Sequence, residues 1–122
     1  MLNFQKRSDE SIKTKNDSAC VDNWLNGFCK DFDDEKRLLL KRATECLMGN
    51  VTDGEKSVWG DKKLIVPSKK TYGGVWNWDS AFISIGVANW DVDLAFQQLD
   101  IFIENQKDDG SYLDAITTSG QK

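Results

Sequence analysis

Residues 80–88 constrain the fold more than any other part of the sequence, because they are apolar on nearly every side. Their sequence is S-A-F-I-S-I-G-V-A, without a charged side chain. A helix on a protein surface has one apolar stripe and one polar face, whereas a helix that is apolar all round is buried. We therefore predict a helix here that is covered on each flank by neighbouring elements.

Helical spacing of apolar residues predicts two further helices before this segment. The first is short, begins near Asp22 and is interrupted by Gly27. The second begins near Asp33 or Asp34, whose carboxylates favour the positive end of a helix dipole, and it ends at Gly49. Its predicted apolar side consists of Leu38, Leu39, Ala43, Cys46 and Leu47.

A long segment, residues 51–77, separates the second helix from the apolar one, with at most a short strand at residues 63–66. A loop of this length inside a compact domain is commonly functional. After the apolar helix, Asp91 and Asp93 open an amphipathic helix that is predicted to end at the turn of residues 108–110. The residues of this helix that we expect to face water are Gln97, Gln98, Asp100 and Glu104.

Length and charge restrict the class of protein and its partners. The 122 residues are enough for one domain with a modest core. A net charge of -4 with mixed signs argues against nucleic acid, whose phosphates require clustered lysine and arginine. Because no apolar run approaches the roughly 20 residues that span a bilayer, we expect no membrane partner. Residues 1–20 are expected to be a polar, poorly ordered lead without a signal peptide, which predicts a cytoplasmic protein.

The absence of histidine limits the chemistry that this sequence can support. Nucleophiles activated by histidine and most zinc sites are excluded, so acid–base chemistry would depend on carboxylates, lysine or tyrosine. Cys20, Cys29 and Cys46 are odd in number and lack C-x-x-C spacing, which argues against a disulfide framework or a thiolate metal site. We expect neither a metal nor another cofactor.

The sequence G-G-V-W-N-W-D-S-A-F at residues 73–82 is the strongest candidate for a binding site. An indole ring covers the apolar face of a sugar, and a carboxylate accepts hydrogen bonds from neighbouring hydroxyls. Trp78 and Asp79 supply both groups where a glycine-rich loop enters a helix. A structural interpretation is equally open, in which Trp78 and Phe82 are core residues on one helical face and Asp79 is the N-cap.

The region around this motif resembles the (α/α)6-toroid glycoside hydrolases, specifically the family 63 and mannosylglycerate-hydrolase-like group, with trehalases as more distant relatives. The matching positions are Pro67, residues 76–82, Gly86, residues 91–95 and residues 106–110. The resemblance runs from about residue 38 to residue 116. It implies an all-α fold, in which residues 21–122 form helical hairpins that are the N-terminal part of an incomplete toroid.

The resemblance also implies substrate-binding roles for four residues. In such enzymes the tryptophan–aspartate pair lines the innermost sugar subsite, so Trp78 would stack on the sugar and Asp79 would accept hydrogen bonds from its hydroxyls. Trp76 would flank the subsite. Asp114 would lie near it, although Leu113 stands where the family carries proline.

The catalytic acid and base of the resembling enzymes lie downstream of the positions that match this chain. The resemblance therefore implies a fragment of an inverting hydrolase of α-glucosides or α-mannosides that binds an α-linked glycoside but is inactive alone. One alternative is a non-catalytic helical module that binds carbohydrate or protein through Trp76 and Trp78. Another is a structural protein in which every aromatic residue belongs to the core. An incomplete toroid would leave apolar helices such as residues 80–88 uncovered, which favours self-association.

Overall fold

The computed structural model describes residues 17–52 and 59–117. Its helices are α1 (Asp17–Phe28), α2 (Asp34–Gly49), α3 (Asn77–Val87) and α4 (Val92–Glu104). Its strands are β1 (Val51–Thr52), β2 (Leu64–Ile65), β3 (Gly74–Trp76) and β4 (Ala115–Thr117). Strand β1 pairs antiparallel with β2, and β3 pairs antiparallel with β4. The predicted helical character is confirmed for the described part, but its two small sheets were not predicted.

Two predicted helix starts are confirmed by capping hydrogen bonds. Asp33 Oδ1 accepts from the backbone N–H of Lys36 at 2.9 Å, at the start of α2. Asp91 Oδ1 accepts from the backbone N–H of Leu94 at 2.9 Å, at the start of α4. Each carboxylate satisfies one of the first N–H groups of its helix, which have no partner within the helix.

The predicted end of α4 is wrong, because the helix ends at Glu104 and not at residues 108–110. Asn105 caps it: its side-chain amide donates to the carbonyl of Ile101 at 2.8 Å. The predicted turn follows separately, and Gly110 adopts the positive φ of 84° that this turn requires. An asparagine can therefore end the helix before the glycine is reached.

Strand β2 lies between two buried clusters, and its side chains alternate between them as in any strand. Leu64 belongs to the first core and Ile65 to the second. The first core consists of Trp59, Leu64, Val66, Val75, Ile101, Phe102, Leu113 and Ile116. The second core consists of Ile65, Val87, Leu94 and Ala95, against which Leu47, Met48, Val51, Ile83 and Trp90 pack.

Gln98 was predicted to face water, but it is completely buried in the structure. Its Oε1 accepts from the N–H of Ile65 at 2.8 Å, and its Nε2 donates to the carbonyl of Lys63 at 3.0 Å. The other edge of β2 pairs with β1, and next to this pair the N–H of Val66 donates to the carbonyl of Asn50. The side-chain amide of Gln98 therefore takes the place of a neighbouring strand, which explains why a polar group is stable in the core.

Helix α3 is covered on one face only by the described residues, so burial on every flank is not observed. Its buried residues are Ser80, Ser84 and Val87. The opposite face carries Trp78, Phe82 and Ile85, which are 75%, 60% and 70% exposed and lie along one stripe at helical spacing. Leu38 and Leu39 of α2, predicted to be on its apolar side, are likewise exposed.

Some predictions fall outside the described residues. Residues 1–16, most of the predicted polar lead, are among them, while residues 17–20 lie in α1. Within the ranges 17–52 and 59–117, no helix has both the length and the apolar character needed to cross a bilayer.

Candidate functional site

Strand β3 runs directly into helix α3, so the candidate residues lie at a strand-to-helix junction. Trp76 is the last residue of β3 and also the N-cap of α3, with extended backbone angles of φ -113° and ψ 138°. The possibility that Asp79 is the N-cap is therefore wrong, because α3 begins at Asn77 and Asp79 lies within its first turn. The segment predicted to be a glycine-rich loop contains the short strand β3.

The pairing of β3 with β4 brings Asp114 to the junction. Trp76 lies opposite Ala115 in the antiparallel register. The backbone N–H of Asn77 donates to the carbonyl of Asp114 at 2.9 Å. The segment that carries Asp114 is thus bonded to the residue between Trp76 and Trp78.

Gly74 permits this pairing, because the two strands approach each other too closely for a side chain. A Cβ at Gly74 would lie 2.8 Å from the carbonyl oxygen of Ile116 and 3.0 Å from the Cα of Thr117. Atoms this close must move apart, and both obstructing atoms are backbone atoms that cannot rotate away.

Leu113, which stands where the resembling family carries proline, is a core residue. It is buried in the first core with Val75 and Ile116. The following side chain, Asp114, is exposed. The carboxylate of Asp114 therefore lies on the surface, in the residue whose carbonyl bonds to Asn77.

Aromatic side chains at the junction form two pairs. The ring centroids of Trp78 and Phe82 are 5.1 Å apart with their planes tilted by 54°. Tyr72 and Trp76 meet edge to face at 5.6 Å and 86°. Trp78, Phe82 and Tyr72 are all exposed, so the interpretation of every aromatic residue as core is wrong for the described part of the chain. Contiguous exposed apolar surface marks sites of interaction.

The two candidate carboxylates are free to accept hydrogen bonds. Asp79 is half-buried in the first turn of α3, and Asp114 is exposed. Among the described residues, neither side chain forms an ion pair; the observed pairs are Lys36–Asp33, Lys41–Glu45 and Lys62–Glu104. Within residues 17–52 and 59–117, no set of three or more histidine, cysteine or acidic side chains is arranged to hold a metal.

The turn before Leu113 is itself fixed by hydrogen bonds. The hydroxyl and the backbone N–H of Ser111 donate to Asp109 Oδ1 at 2.6 and 2.9 Å. The hydroxyl, followed by the N–H, lowers the pKa of Asp109 below its usual value of 3.8, because both bonds favour the charged carboxylate. Gln106 Nε2 also donates to the carbonyl of Gly110 at 2.6 Å, closing the turn.

Among the described residues, two open clefts lie elsewhere, along α1 and α2. The larger, of about 330 Å³, includes Val21, Leu25 and Met48 in its lining, and the smaller, of about 230 Å³, includes Cys29 and Arg37. Neither is lined by any of the four predicted site residues. Their walls come mainly from α1 and α2 rather than from the junction.

Two residues that stabilise the junction were not predicted from the sequence. Asn77 bonds to the segment before β4, and Tyr72 supports Trp76. The doubled glycine of residues 73–74 is a local signal of close backbone approach, but nothing local identifies β4 as its partner.

The chain is similar to curated glycoside hydrolases over part of its length. Over 45 residues it is 40% identical to two mannosylglycerate hydrolases of Selaginella moellendorffii. The relationship is partial and distant. The matched stretch is 37% of this chain but only 9% of the length of each relative. No family model matches the chain, and no solved structure matches it.

Proposed function

We propose that the chain supplies sugar-binding residues of a glycoside hydrolase related to family 63 that acts on an α-linked mannoside or glucoside. The observation that most supports this is the exposed Trp78 followed by Asp79, whose carboxylate is free, at the junction to which β4 brings Asp114. The partial similarity to two mannosylglycerate hydrolases supports the same class of reaction.

In this proposal, Trp78 stacks on the apolar face of the sugar ring, and Trp76 borders the same subsite. Asp79 accepts hydrogen bonds from two adjacent hydroxyls, each a charge-assisted contact of about 1.5–3 kcal/mol. Asp114 approaches the sugar from the side of β4. Because Trp78 is exposed and would make few contacts with the sugar, we expect a dissociation constant of about 1 mM for a monosaccharide.

The chain alone is proposed to bind sugar without cleaving it. Inverting hydrolysis needs a general acid and a general base about 6.5–9.5 Å apart, with a water molecule between the base and the sugar. In the proposal Asp79 and Asp114 hold the sugar, and an (α/α)6 toroid that is completed by further helices supplies the acid and the base. Release of mannose from an aryl α-mannoside by the purified 122-residue chain would contradict this part.

Tryptophan fluorescence during ligand titration tests the binding proposal. Mannosylglycerate, methyl α-mannoside and methyl α-glucoside are compared with glycerate, which lacks the sugar ring. We expect at least one of the sugars to give a saturable change and glycerate to give none. The absence of a saturable change with all three sugars would contradict the proposal.

A matched pair of variants assigns the binding to Asp79. Asp79→Asn keeps the shape but removes the charge, and we expect it to weaken binding about tenfold, which corresponds to about 1.4 kcal/mol. Asp93→Asn is the control, because Asp93 is an acidic residue in the first turn of α4. Equal weakening by both variants would mean that Asp79 has no specific contact with the sugar.

Exposed apolar stripes on two helices favour a second candidate function, the binding of another protein surface or of a second copy. The exposed residues are Trp78, Phe82 and Ile85 on α3 and Val92, Phe96 and Ile103 on α4. Monomeric proteins rarely leave large apolar patches uncovered. Sedimentation equilibrium should then show self-association that Phe96→Lys reduces, and a monodisperse monomer at all concentrations would argue against self-association.

A further inference from the structure

We propose that Asn77 is a positioning residue that fixes β4, and with it Asp114, against the start of α3; its effect on binding rests on the function proposed above. Asn77 makes two hydrogen bonds to consecutive carbonyls. Its backbone N–H donates to Asp114 at 2.9 Å, and its Nδ2 donates to Leu113 at 3.2 Å. Both bonds extend the β3–β4 pairing beyond its last residue pair.

The start of α3 depends on this arrangement. The first N–H groups of a helix have no partner within it, and a polar N-cap side chain usually satisfies one of them. The N-cap of α3 is Trp76, and its side chain makes no capping hydrogen bond. The carbonyl of Asp114 satisfies the N–H of Asn77 instead, so the helix start and the strand form one hydrogen-bonded unit.

The side-chain bond adds a constraint that the backbone alone does not provide. Leu113 and Ile116 are buried on either side of Asp114, which anchors the segment in the first core. The side chain of Asn77 is partly buried and holds the carbonyl of Leu113, the residue directly before Asp114. Together these contacts fix the backbone from which the carboxylate of Asp114 extends.

Asn77→Asp tests this role without a large change in shape. The substitution replaces the donor with an oxygen that repels the carbonyl of Leu113. A negative charge in the first turn is itself favourable to a helix, so α3 should still form. Far-UV circular dichroism verifies this, and Asn77→Ala, which removes the donor without adding charge, is the alternative if the aspartate variant does not fold.

Amide hydrogen exchange of the ligand-free chain is the first measurement. We expect exchange of the protected amides of β4 to accelerate about tenfold on loss of one hydrogen bond, while the amides of α4 exchange as in the unmodified chain. Unchanged exchange in β4 would overturn the proposal. So would an equal acceleration throughout the chain, because it would reflect general destabilisation.

A double-mutant cycle with Asp114→Asn, measured by mannosylglycerate titration, separates positioning from stability. If Asn77 acts through Asp114, the double variant should bind no more weakly than Asp114→Asn alone. Additive losses would overturn that coupling. If the unmodified chain binds none of the three sugars, the proposed function fails, and amide exchange in β4 alone decides whether Asn77 holds the strand.

Discussion

Truncation of Trp78 distinguishes a binding residue from a core residue. Trp78 is 75% exposed, so Trp78→Ala removes only about a quarter of the contact that a buried tryptophan makes. With about 200 Å² for a fully buried indole, this is about 50 Å², or roughly 1 kcal/mol at 25 cal/mol/Å². Loss of the ring contact with Phe82 adds about 0.5 kcal/mol or more. The expected loss in the free energy of unfolding is therefore about 1–2 kcal/mol.

Trp59→Ala is the matched comparison, because the same substitution is made in the first core. Trp59 is 3% exposed, and truncation of such a residue costs about 3–5 kcal/mol. Urea unfolding followed by far-UV circular dichroism measures both variants without relying on tryptophan emission. If Trp78→Ala costs as much as Trp59→Ala, Trp78 is a core residue and its proposed role in binding loses its structural basis.

Three further predictions concern the elements that support the site. Gln98→Leu should lower the free energy of unfolding by about 1–3 kcal/mol, because it removes the side-chain oxygen that accepts from the buried N–H of Ile65 in β2. Gly74→Ala should weaken the β3–β4 pairing and accelerate amide exchange in β4, because the added Cβ would lie 2.8 Å from the carbonyl of Ile116. Asp109 should titrate below 3.8, and its bonds to Ser111 should persist above that pH and be lost as the pH falls through the lowered pKa.

Each of these predictions has an outcome that contradicts it. A loss below about 1 kcal/mol for Gln98→Leu in urea unfolding would mean that water or another group replaces the amide. Unchanged exchange in β4 for Gly74→Ala would mean that the strands separate without cost. An NMR titration that places the carboxyl of Asp109 at or above its usual pKa would show that the turn does not stabilise its charge.

Local signals in the sequence predicted the starts of α2 and α4, but α1 begins at Asp17 and not near Asp22, and α3 begins at Asn77 and not after Asp79. Asp33 and Asp91 each cap a helix through an N–H only three residues away, so the causes lie within one turn of sequence. The sequence allowed at most a short strand at residues 63–66, and the structure has the two-residue strand β2 there.

Features that depend on distant partners were not predictable in this way. Gln98 is polar, so the amphipathic pattern assigned it to the water-facing side, but its partner Ile65 is 33 residues away. Strands β3 and β4 are each three residues long, too short for an alternating pattern to be recognised. The apolar character of α3 indicated that the helix avoids water, but not what would cover it.

The candidate site was predictable in its residues but not in its assembly. Trp78 and Asp79 were found from residue chemistry next to a glycine-rich segment, whereas the position of Asp114 depends on the pairing of β3 with β4. The sugar-binding roles of Trp76, Trp78, Asp79 and Asp114 stay predictions.

The most direct test of the proposed binding is the NMR spectrum of the indole N–H groups during addition of mannosylglycerate. The chain has five tryptophans, each with its own indole signal. We predict that the signals of Trp76 and Trp78 shift progressively and saturate, while those of Trp24, Trp59 and Trp90 stay in place. Shifts confined to these other three tryptophans would contradict a sugar-binding site at the junction of β3 and α3. So would the absence of any shift with mannosylglycerate, methyl α-mannoside and methyl α-glucoside alike.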